Sequence, residues 1–139
     1  MSAAALTPRV RTLILCDEVI ESDIEPGVMT LEGVRQQFFA RAFPLLAPLT
    51  LYLELFSPRD GNFPGHILIV NEHEDKTIRY TKFEVEFDEA NQTVAFDVEL
   101  GDCQFPTPGA FSIQVWFSST VGQDVLKGER LINIFSDEE

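Results

Sequence analysis

The sequence predicts an all-β protein, an antiparallel two-sheet β-sandwich of immunoglobulin-like or C2-like type with about eight strands. Three Pro-Gly dipeptides each precede a run of strand-forming residues: Pro26-Gly27, Pro64-Gly65 and Pro108-Gly109. Proline presets the φ angle of the second position of a tight turn and glycine accepts the positive φ of the third, so each dipeptide predicts a turn into a strand. Apolar and polar residues also alternate along several runs, which is the period of a strand with one buried face. A small barrel is the alternative architecture.

A single domain is expected, because the chain has 139 residues and 45% of them are hydrophobic. A domain of this size buries roughly two-thirds of the surface that its unfolded chain would expose. We place the sandwich domain at residues 9–135, after a loose N-terminal tail at residues 1–8 and before an acidic C-terminal tail at residues 136–139.

The first third of the chain has the weaker strand pattern. Residues 10–16 are apolar on both faces and predict a central strand, and residues 28–34 predict a second strand. Residues 34–43 fit a strand, which we favour, but apolar residues at helical spacing keep a helix open as the alternative.

The rest of the chain has the clearer pattern. Six runs are apolar or alternate apolar with polar residues: residues 49–55, 67–70, 82–87, 94–100, 110–117 and 125–135. Proline, aspartate and glycine predict a loop at residues 57–65, and residues 88–92 have the length of a hairpin turn between two of these strands. Residues 118–124 are expected to form a polar turn.

The net charge of -13, from 10 basic and 23 acidic residues, bears on partners and location. Nucleic acids and anionic membrane surfaces are bound by clustered lysine and arginine, so neither is an expected partner. Solubility explains such a charge, and attraction to a basic partner is compatible with it. No segment has the length of a membrane span or the apolar run of a signal peptide, so we expect a cytoplasmic protein.

Catalytic motifs are missing from the sequence. It has no nucleophile elbow, no Walker loop and no metalloprotease or dinucleotide-binding motif. The two histidines are His66 and His73, and no spacing places either beside a cysteine. Cys16 ends an apolar run and is expected to be a buried free thiol. Cys103 lies in a polar stretch and is expected to be more accessible. A disulfide bond between Cys16 and Cys103 is the alternative to two free thiols. We predict a protein that is not an enzyme and has no cofactor.

Calcium is a better metal hypothesis for this chain than zinc. Some β-sandwich modules bind calcium with carboxylates from loops at one end of the sandwich. This chain has acidic residues in three segments expected to be loops: Asp17, Glu18, Glu21, Asp23, Glu25, Asp88, Glu89 and Asp102. Their spacing shows no convergence on one point, so solvated surface charge is the competing explanation.

Three aromatic residues are the candidate interface. Trp116 alternates with the apolar stripe of residues 111–117 and is expected on the opposite face of its strand. Tyr52 and Phe56 likewise alternate with leucines on their own strand. Exposed aromatic residues on a sheet often mark a contact surface. A loop such as residues 34–47 covering Trp116 is the alternative.

Four segments together resemble a family of short bacterial proteins that is catalogued only as a domain of unknown function: residues 13–19, 30–34, 43–44 and 105–111. The resemblance spans nearly the whole chain. It implies a bacterial β-sandwich without an established activity, and it carries no catalytic residue over to this chain.

From these observations we predict a non-enzymatic module that binds another protein or associates with itself. Exposed edge strands of a sandwich offer a physical route to a homo-oligomer. A calcium-dependent binding module and an enzyme of unrecognised type are the alternatives.

Overall fold

The computed structural model describes residues 7–118 and 123–137, and these are all-β, with no helix among them. Ten strands follow one another in this part of the chain: β1 (Arg9–Cys16), β2 (Glu18–Glu21), β3 (Met29–Glu32), β4 (Gln37–Ala40), β5 (Leu45–Ser57), β6 (Gly61–Asn71), β7 (Lys76–Phe87), β8 (Gln92–Phe105), β9 (Gly109–Ser118) and β10 (Asp124–Ser136). The predicted all-β class is confirmed. Nothing in the described ranges is a helix long and apolar enough to cross a membrane.

The described strands form three sheets, where the sequence had predicted two sheets and about eight strands. A three-stranded sheet has the order β1-β5-β8, a five-stranded sheet has the order β4-β10-β9-β6-β7, and β2 and β3 form a separate ribbon. All neighbouring pairs are antiparallel except β4 and β10, which run parallel. The purely antiparallel prediction is therefore wrong at this one pair.

The core is one cluster of buried side chains to which both of the larger sheets contribute. Leu51, Leu53 and Leu55 of β5 are 0% exposed, as the alternation of that run predicts. On the other sheet, the buried stripe of β9 is Phe111, Ile113, Val115 and Phe117. Burying each of these side chains stabilises the fold by roughly 1.5–3 kcal/mol, so this cluster supplies most of the driving force for folding.

The predicted hairpin between residues 82–87 and 94–100 is wrong. β7 pairs with β6 in the five-stranded sheet, whereas β8 pairs with β5 in the three-stranded sheet. The short turn between β7 and β8 therefore connects the two sheets. The Gln92 side-chain oxygen accepts a hydrogen bond from the Asp88 amide at 2.7 Å and closes this turn. Composition does not separate a turn within a sheet from a turn between sheets, since both need the same tight backbone.

Two of the three Pro-Gly dipeptides have the positive glycine φ that was predicted, whereas the third forms no turn. Gly27 and Gly109 have positive φ angles of 81° and 136°. Pro64-Gly65 instead lies inside β6, where Gly65 pairs with Phe83 of β7 and Phe117 of β9. Glycine is needed there for close approach: a Cβ atom would lie 2.6 Å from Cζ of Phe83 and 2.9 Å from the carbonyl oxygen of Trp116. The predicted loop at residues 57–65 is therefore much shorter.

The ambiguous segment 34–43 contains the short strand β4 and no helix, in agreement with the prediction that we favoured. β4 pairs with the end of β10, and the Phe38 ring stacks on Phe105 of β8 with ring centroids 6.3 Å apart. The first of the three predicted acidic loops is partly a strand, because β2 contains Glu18 and Glu21 and pairs with β3.

The ends of the described chain are held in place. Thr7 and Pro8 are buried, although the sequence predicted a loose tail there, and residues 1–6 of that tail lie outside the described part. Ser136 ends β10, and the Asp137 amide donates a hydrogen bond to the Ala40 carbonyl at 2.8 Å. The last two residues of the acidic tail and residues 119–122 of the polar turn are also outside the described ranges.

Candidate functional site

The outer face of the five-stranded sheet, on the side away from the core, carries a broad apolar surface. The described residues include ten large hydrophobic side chains that are exposed, and five of them lie on this outer face: Phe39, Tyr80, Leu126, Leu131 and Phe135. Strand register explains their position, because their partners on the neighbouring strands also lie on the side away from the core. Leu131, for example, pairs with Ser112, while its neighbour Ile132 pairs with the buried Phe111.

An aromatic row crosses three strands of this outer face. Trp116 of β9 and His66 of β6 are direct register partners, and their rings are nearly parallel, 4° apart, with centroids separated by 6.1 Å. On its other side His66 stacks on Tyr80 of β7, with centroids 5.2 Å apart. Leu126 of β10 pairs with Trp116 and extends the row to a fourth strand.

Hydrogen bonds along β9 hold the aromatic row in one arrangement. The Trp116 indole Nε1 donates to Oε1 of Gln114 at 3.0 Å, and Nε2 of Gln114 donates to the Ser112 hydroxyl at 2.9 Å. The same Nε2 lies 3.4 Å from a carboxylate oxygen of Glu129. Because these polar groups are already paired, covering the row with an apolar partner leaves no indole or amide unsatisfied.

A second aromatic pair lies at the other edge of the sheet. Phe39 of β4 stacks on Phe135 of β10, with ring centroids 5.3 Å apart, and both rings are exposed. Leu131, which is 55% exposed, lies between this pair and the aromatic row along β10. The apolar surface therefore reaches all five strands of the sheet.

The structure separates the three predicted interface residues. Trp116 lies on the outer face of the five-stranded sheet and is half-buried by its row, not by residues 34–47. Tyr52 and Phe56 lie on the outer side of the three-stranded sheet, where Tyr52 pairs with Ile14 and Phe56 lies under the guanidinium of Arg11 at 5.4 Å. The three residues therefore do not form one surface.

Sequence reasoning missed the residues that accompany Trp116. Leu131 and Phe135 alternate with Ile132 and Ile134, so the pattern of the last strand already places them opposite the core. Phe39 had no such signal, since the segment around it was ambiguous between strand and helix. Tyr80 was missed because the run that became β7 is longer at its N-terminal end than the alternation at residues 82–87 shows.

Both cysteines are free and buried. The prediction for Cys16 is confirmed, and its thiol lies 3.6 Å from the Thr50 carbonyl oxygen. The prediction for Cys103 is wrong, because its side chain is 1% exposed and belongs to the core cluster. β8 turns Cys103 inward together with Phe105, although the residues around it are polar. Burial raises the pKa of the Cys103 thiol to about 11, which is the opposite of what a nucleophile at neutral pH needs.

The buried thiol predicts a loss of stability at alkaline pH. The unfolded Cys103 ionises around its ordinary pKa of 9.0, while the folded thiol stays protonated until about 11. The unfolded state therefore binds fewer protons between these values, and the free energy of unfolding falls as the pH rises through this window, by on the order of 2 kcal/mol. Urea titrations of the wild type and of Cys103→Ala from pH 8 to pH 11 measure it. We expect a steeper decline for the wild type, and equal slopes would contradict the assignment.

The acidic segments do not converge. No three His, Cys, Asp or Glu side chains in the described ranges form a group that could hold a metal ion. Asp17 is engaged by Arg35 through two hydrogen bonds of 2.9 and 2.8 Å, which lower the pKa of its carboxyl group. Glu18 and Glu21 belong to β2 rather than to a loop.

Two surface clefts have the volume of a small-ligand site. One, of about 480 Å³, is lined mainly by apolar residues and proline, and Lys76 is the only ionisable residue in its lining. The other, of about 510 Å³, lies beside the β6–β7 turn, where His73 is exposed between Glu72 and Glu74. His66 is on the outer face and Cys103 is in the core, so this cysteine and this histidine lie on different sides of the five-stranded sheet.

This chain is similar to one family of proteins and, more distantly, to solved structures. No curated protein matches the chain. A solved structure titled "The crystal structure of CopC from Methylosinus trichosporium OB3b" is similar at 14% sequence identity and a TM-score of 0.33, over 75% of this chain and 88% of that chain. A family model described as "Family of unknown function (DUF6941)" matches residues 11–123. The resemblance inferred from the sequence is thereby confirmed, and this chain belongs to that family of unknown function.

Proposed function

We propose that this protein is a non-enzymatic, cytoplasmic binding module, an immunoglobulin-like β-sandwich that recognises another protein through the outer face of its five-stranded sheet. The observation that carries the proposal is the set of exposed apolar and aromatic side chains on one face, from Tyr80 on β7 to Phe39 on β4. Single exposed hydrophobic residues are normal on soluble proteins, whereas a connected patch with a polar rim is typical of an interface.

The three-stranded sheet provides an internal comparison. Its outward positions mix charged residues such as Glu54, Asp97 and Glu99 with the half-buried Tyr52 and Phe56. Leu46, near the start of β5, is its only large hydrophobic side chain that is exposed among the described residues. The exposed large hydrophobic side chains of the two sheets are therefore concentrated on the outer face of the five-stranded sheet, which favours a specific use for that face.

The aromatic row is ordered in the absence of a partner, and this order also favours binding. An interface pays an entropic cost of about 0.5–1.5 kcal/mol for each flexible side chain that it immobilises. Trp116 is already fixed by the Gln114 hydrogen bond and by the parallel His66 ring. Rigid aromatic side chains that are ordered before binding are the usual hot spots of interfaces.

The burial of both cysteine thiols supports a non-enzymatic role. The Cys103 thiol is held protonated by burial, and the Cys16 pKa is also raised, chiefly by burial. No observation favours the calcium-dependent alternative, since the acidic residues in the described ranges do not group together.

Site-specific photo-crosslinking in the native cell tests the proposal. The chain has two tyrosines, Tyr80 on the outer face and Tyr52 on the other sheet, and each is replaced in turn by a photoreactive phenylalanine analogue. We expect a discrete crosslinked protein from position 80 and none from position 52. No adduct from position 80, or the same adduct from both positions, would sink the proposal.

A pair of leucine variants measures how much the surface contributes. Leu131 and Leu46 are exposed to 55% and 61%, and only Leu131 lies on the outer face of the five-stranded sheet. We expect Leu131→Ser to reduce the adduct from position 80 by about tenfold, the effect of losing a contact worth roughly 1.4 kcal/mol. Leu46→Ser is expected to leave it unchanged, and equal losses would contradict the assignment.

A further inference from the structure

Carboxylates flank the aromatic row on both sides. Asp124 and Glu129 lie on β10, and Glu84 and Glu86 lie on β7, at outward positions of the same face. Along β10, Asp124 and Glu129 lie on either side of Leu126. Along β7, Glu84 lies next to Lys82, which pairs with His66. Neighbouring positions on one face of a sheet are about 5–7 Å apart, within reach of a long basic side chain. The aromatic row is therefore bordered by Asp124, Glu129, Glu84 and Lys82, and Glu86 lies one position further along β7.

These four carboxylates form no ion pair with another residue of the described ranges. All four residues are exposed. Asp124 accepts a hydrogen bond from the Ser118 hydroxyl at 3.2 Å, and Glu129 is 3.4 Å from the Gln114 amide. A cation brought by a partner can therefore pair with them without breaking an internal ion pair.

The same charges argue against a second copy of the chain as the partner. Each copy has a net charge of -13. Face-to-face packing about a two-fold axis along the strands, between β9 and β6, exchanges β10 with β7 and places Asp124 of one copy over Glu84 of the other. Like charges brought together at an interface cost several kcal/mol, whereas complementary charges accelerate association and select the partner.

We infer that the outer face recognises a basic protein surface, in which apolar side chains cover the Leu126–Trp116–His66 row and lysine or arginine side chains pair with Glu84, Glu86, Asp124 and Glu129. This inference rests on the proposed function and names the chemistry of the partner. It also selects a different protein over self-association.

Synthetic peptides that alternate leucine with lysine test the inference, because Trp116 is the only tryptophan of the chain and reports from the surface itself. The comparison peptides alternate leucine with glutamate and serine with lysine. We expect a saturable change in Trp116 emission with the leucine–lysine peptide alone, weakened about tenfold as salt rises from 50 to 300 mM. Equal binding of the leucine–glutamate peptide would overturn the inference.

Matched charge variants separate this surface from the general acidity of the chain. Glu84→Gln/Glu129→Gln removes two carboxylates beside the row, and Glu54→Gln/Glu99→Gln removes two from the other sheet. We expect at least about tenfold weaker binding of the leucine–lysine peptide by the first variant and no change in the second. Equal weakening in both would show attraction to the net charge only and would overturn the inference.

The crosslinking experiment at position 80 distinguishes failure of this inference from failure of the proposed function. An adduct with an acidic protein, or with a second copy that sediments as a dimer and is lost in Leu131→Ser, would overturn the inference and leave protein binding standing. An adduct with a protein whose contact surface is basic supports both. Without any adduct, the proposed function itself fails.

Discussion

Replacing Gly65 with valine is expected to destabilise the protein by about 3 kcal/mol or more, the upper range for overpacking a well-packed interior. A Cβ atom at this position would lie 2.6 Å from Cζ of Phe83 and 2.9 Å from the carbonyl oxygen of Trp116. The phenylalanine ring can move, but the carbonyl oxygen belongs to β9, which pairs with β6 at this point. β6 and β9 would have to separate, and urea denaturation measures the cost.

A double variant tests whether this clash is the cause. Gly65→Ala combined with Phe83→Leu removes the ring that a Cβ atom would meet at 2.6 Å and leaves the Trp116 oxygen in place. We expect the two substitutions together to cost about 1 kcal/mol less than the sum of the single variants, because contacting residues are not additive. Strict additivity would show that Phe83 does not limit the space at Gly65.

Phe105→Ala is expected to cost about 3–5 kcal/mol of the free energy of unfolding, the range for deleting a buried phenylalanine. Phe105 is 0% exposed at the end of β8. Its ring contacts Phe111 of β9 edge-on, with centroids 5.0 Å apart, and stacks on Phe38 of β4 at 6.3 Å. One side chain therefore joins the three-stranded sheet to two strands of the five-stranded sheet.

Phe39→Ala is the matched control, since it makes the same chemical change on the neighbouring surface. Phe39 is 63% exposed and stacks only on Phe135 in the described ranges. We expect a loss within about 1 kcal/mol in thermal or urea denaturation. If the two variants lost equal stability, Phe105 would not be the contact that joins the sheets.

The candidate surface could be predicted in part. The alternation at residues 111–117 correctly places Trp116 opposite the core stripe, and the same rule applied to the last strand identifies Leu131 and Phe135. The rule does not say which outward residues share a sheet. Tyr52 obeys it as well as Trp116 does, and it lies on the other sheet. Only the pairing of β9 with β6 brings His66 beside Trp116.

Two of the wrong predictions have the same origin. Pro64-Gly65 has the composition of a turn, yet the Phe83 ring and the Trp116 carbonyl require a glycine in the middle of β6. Cys103 has polar neighbours, yet the β8 strand alternates and turns the thiol inward. In both cases residues distant in the chain determine the environment, and a local pattern contains no information about them.

By itself, the sequence determined the strand class, the inward stripes of β5 and β9, the turns at Gly27 and Gly109 and the family. These depend on the two-residue period of a strand and on backbone angles, which are properties of neighbouring residues. The tertiary structure decided which strands pair, that β7 and β8 belong to different sheets, and that five strands present one apolar surface with acids beside it. Pairing depends on contacts between residues far apart in the chain, so the surface exists only once the sheet has formed.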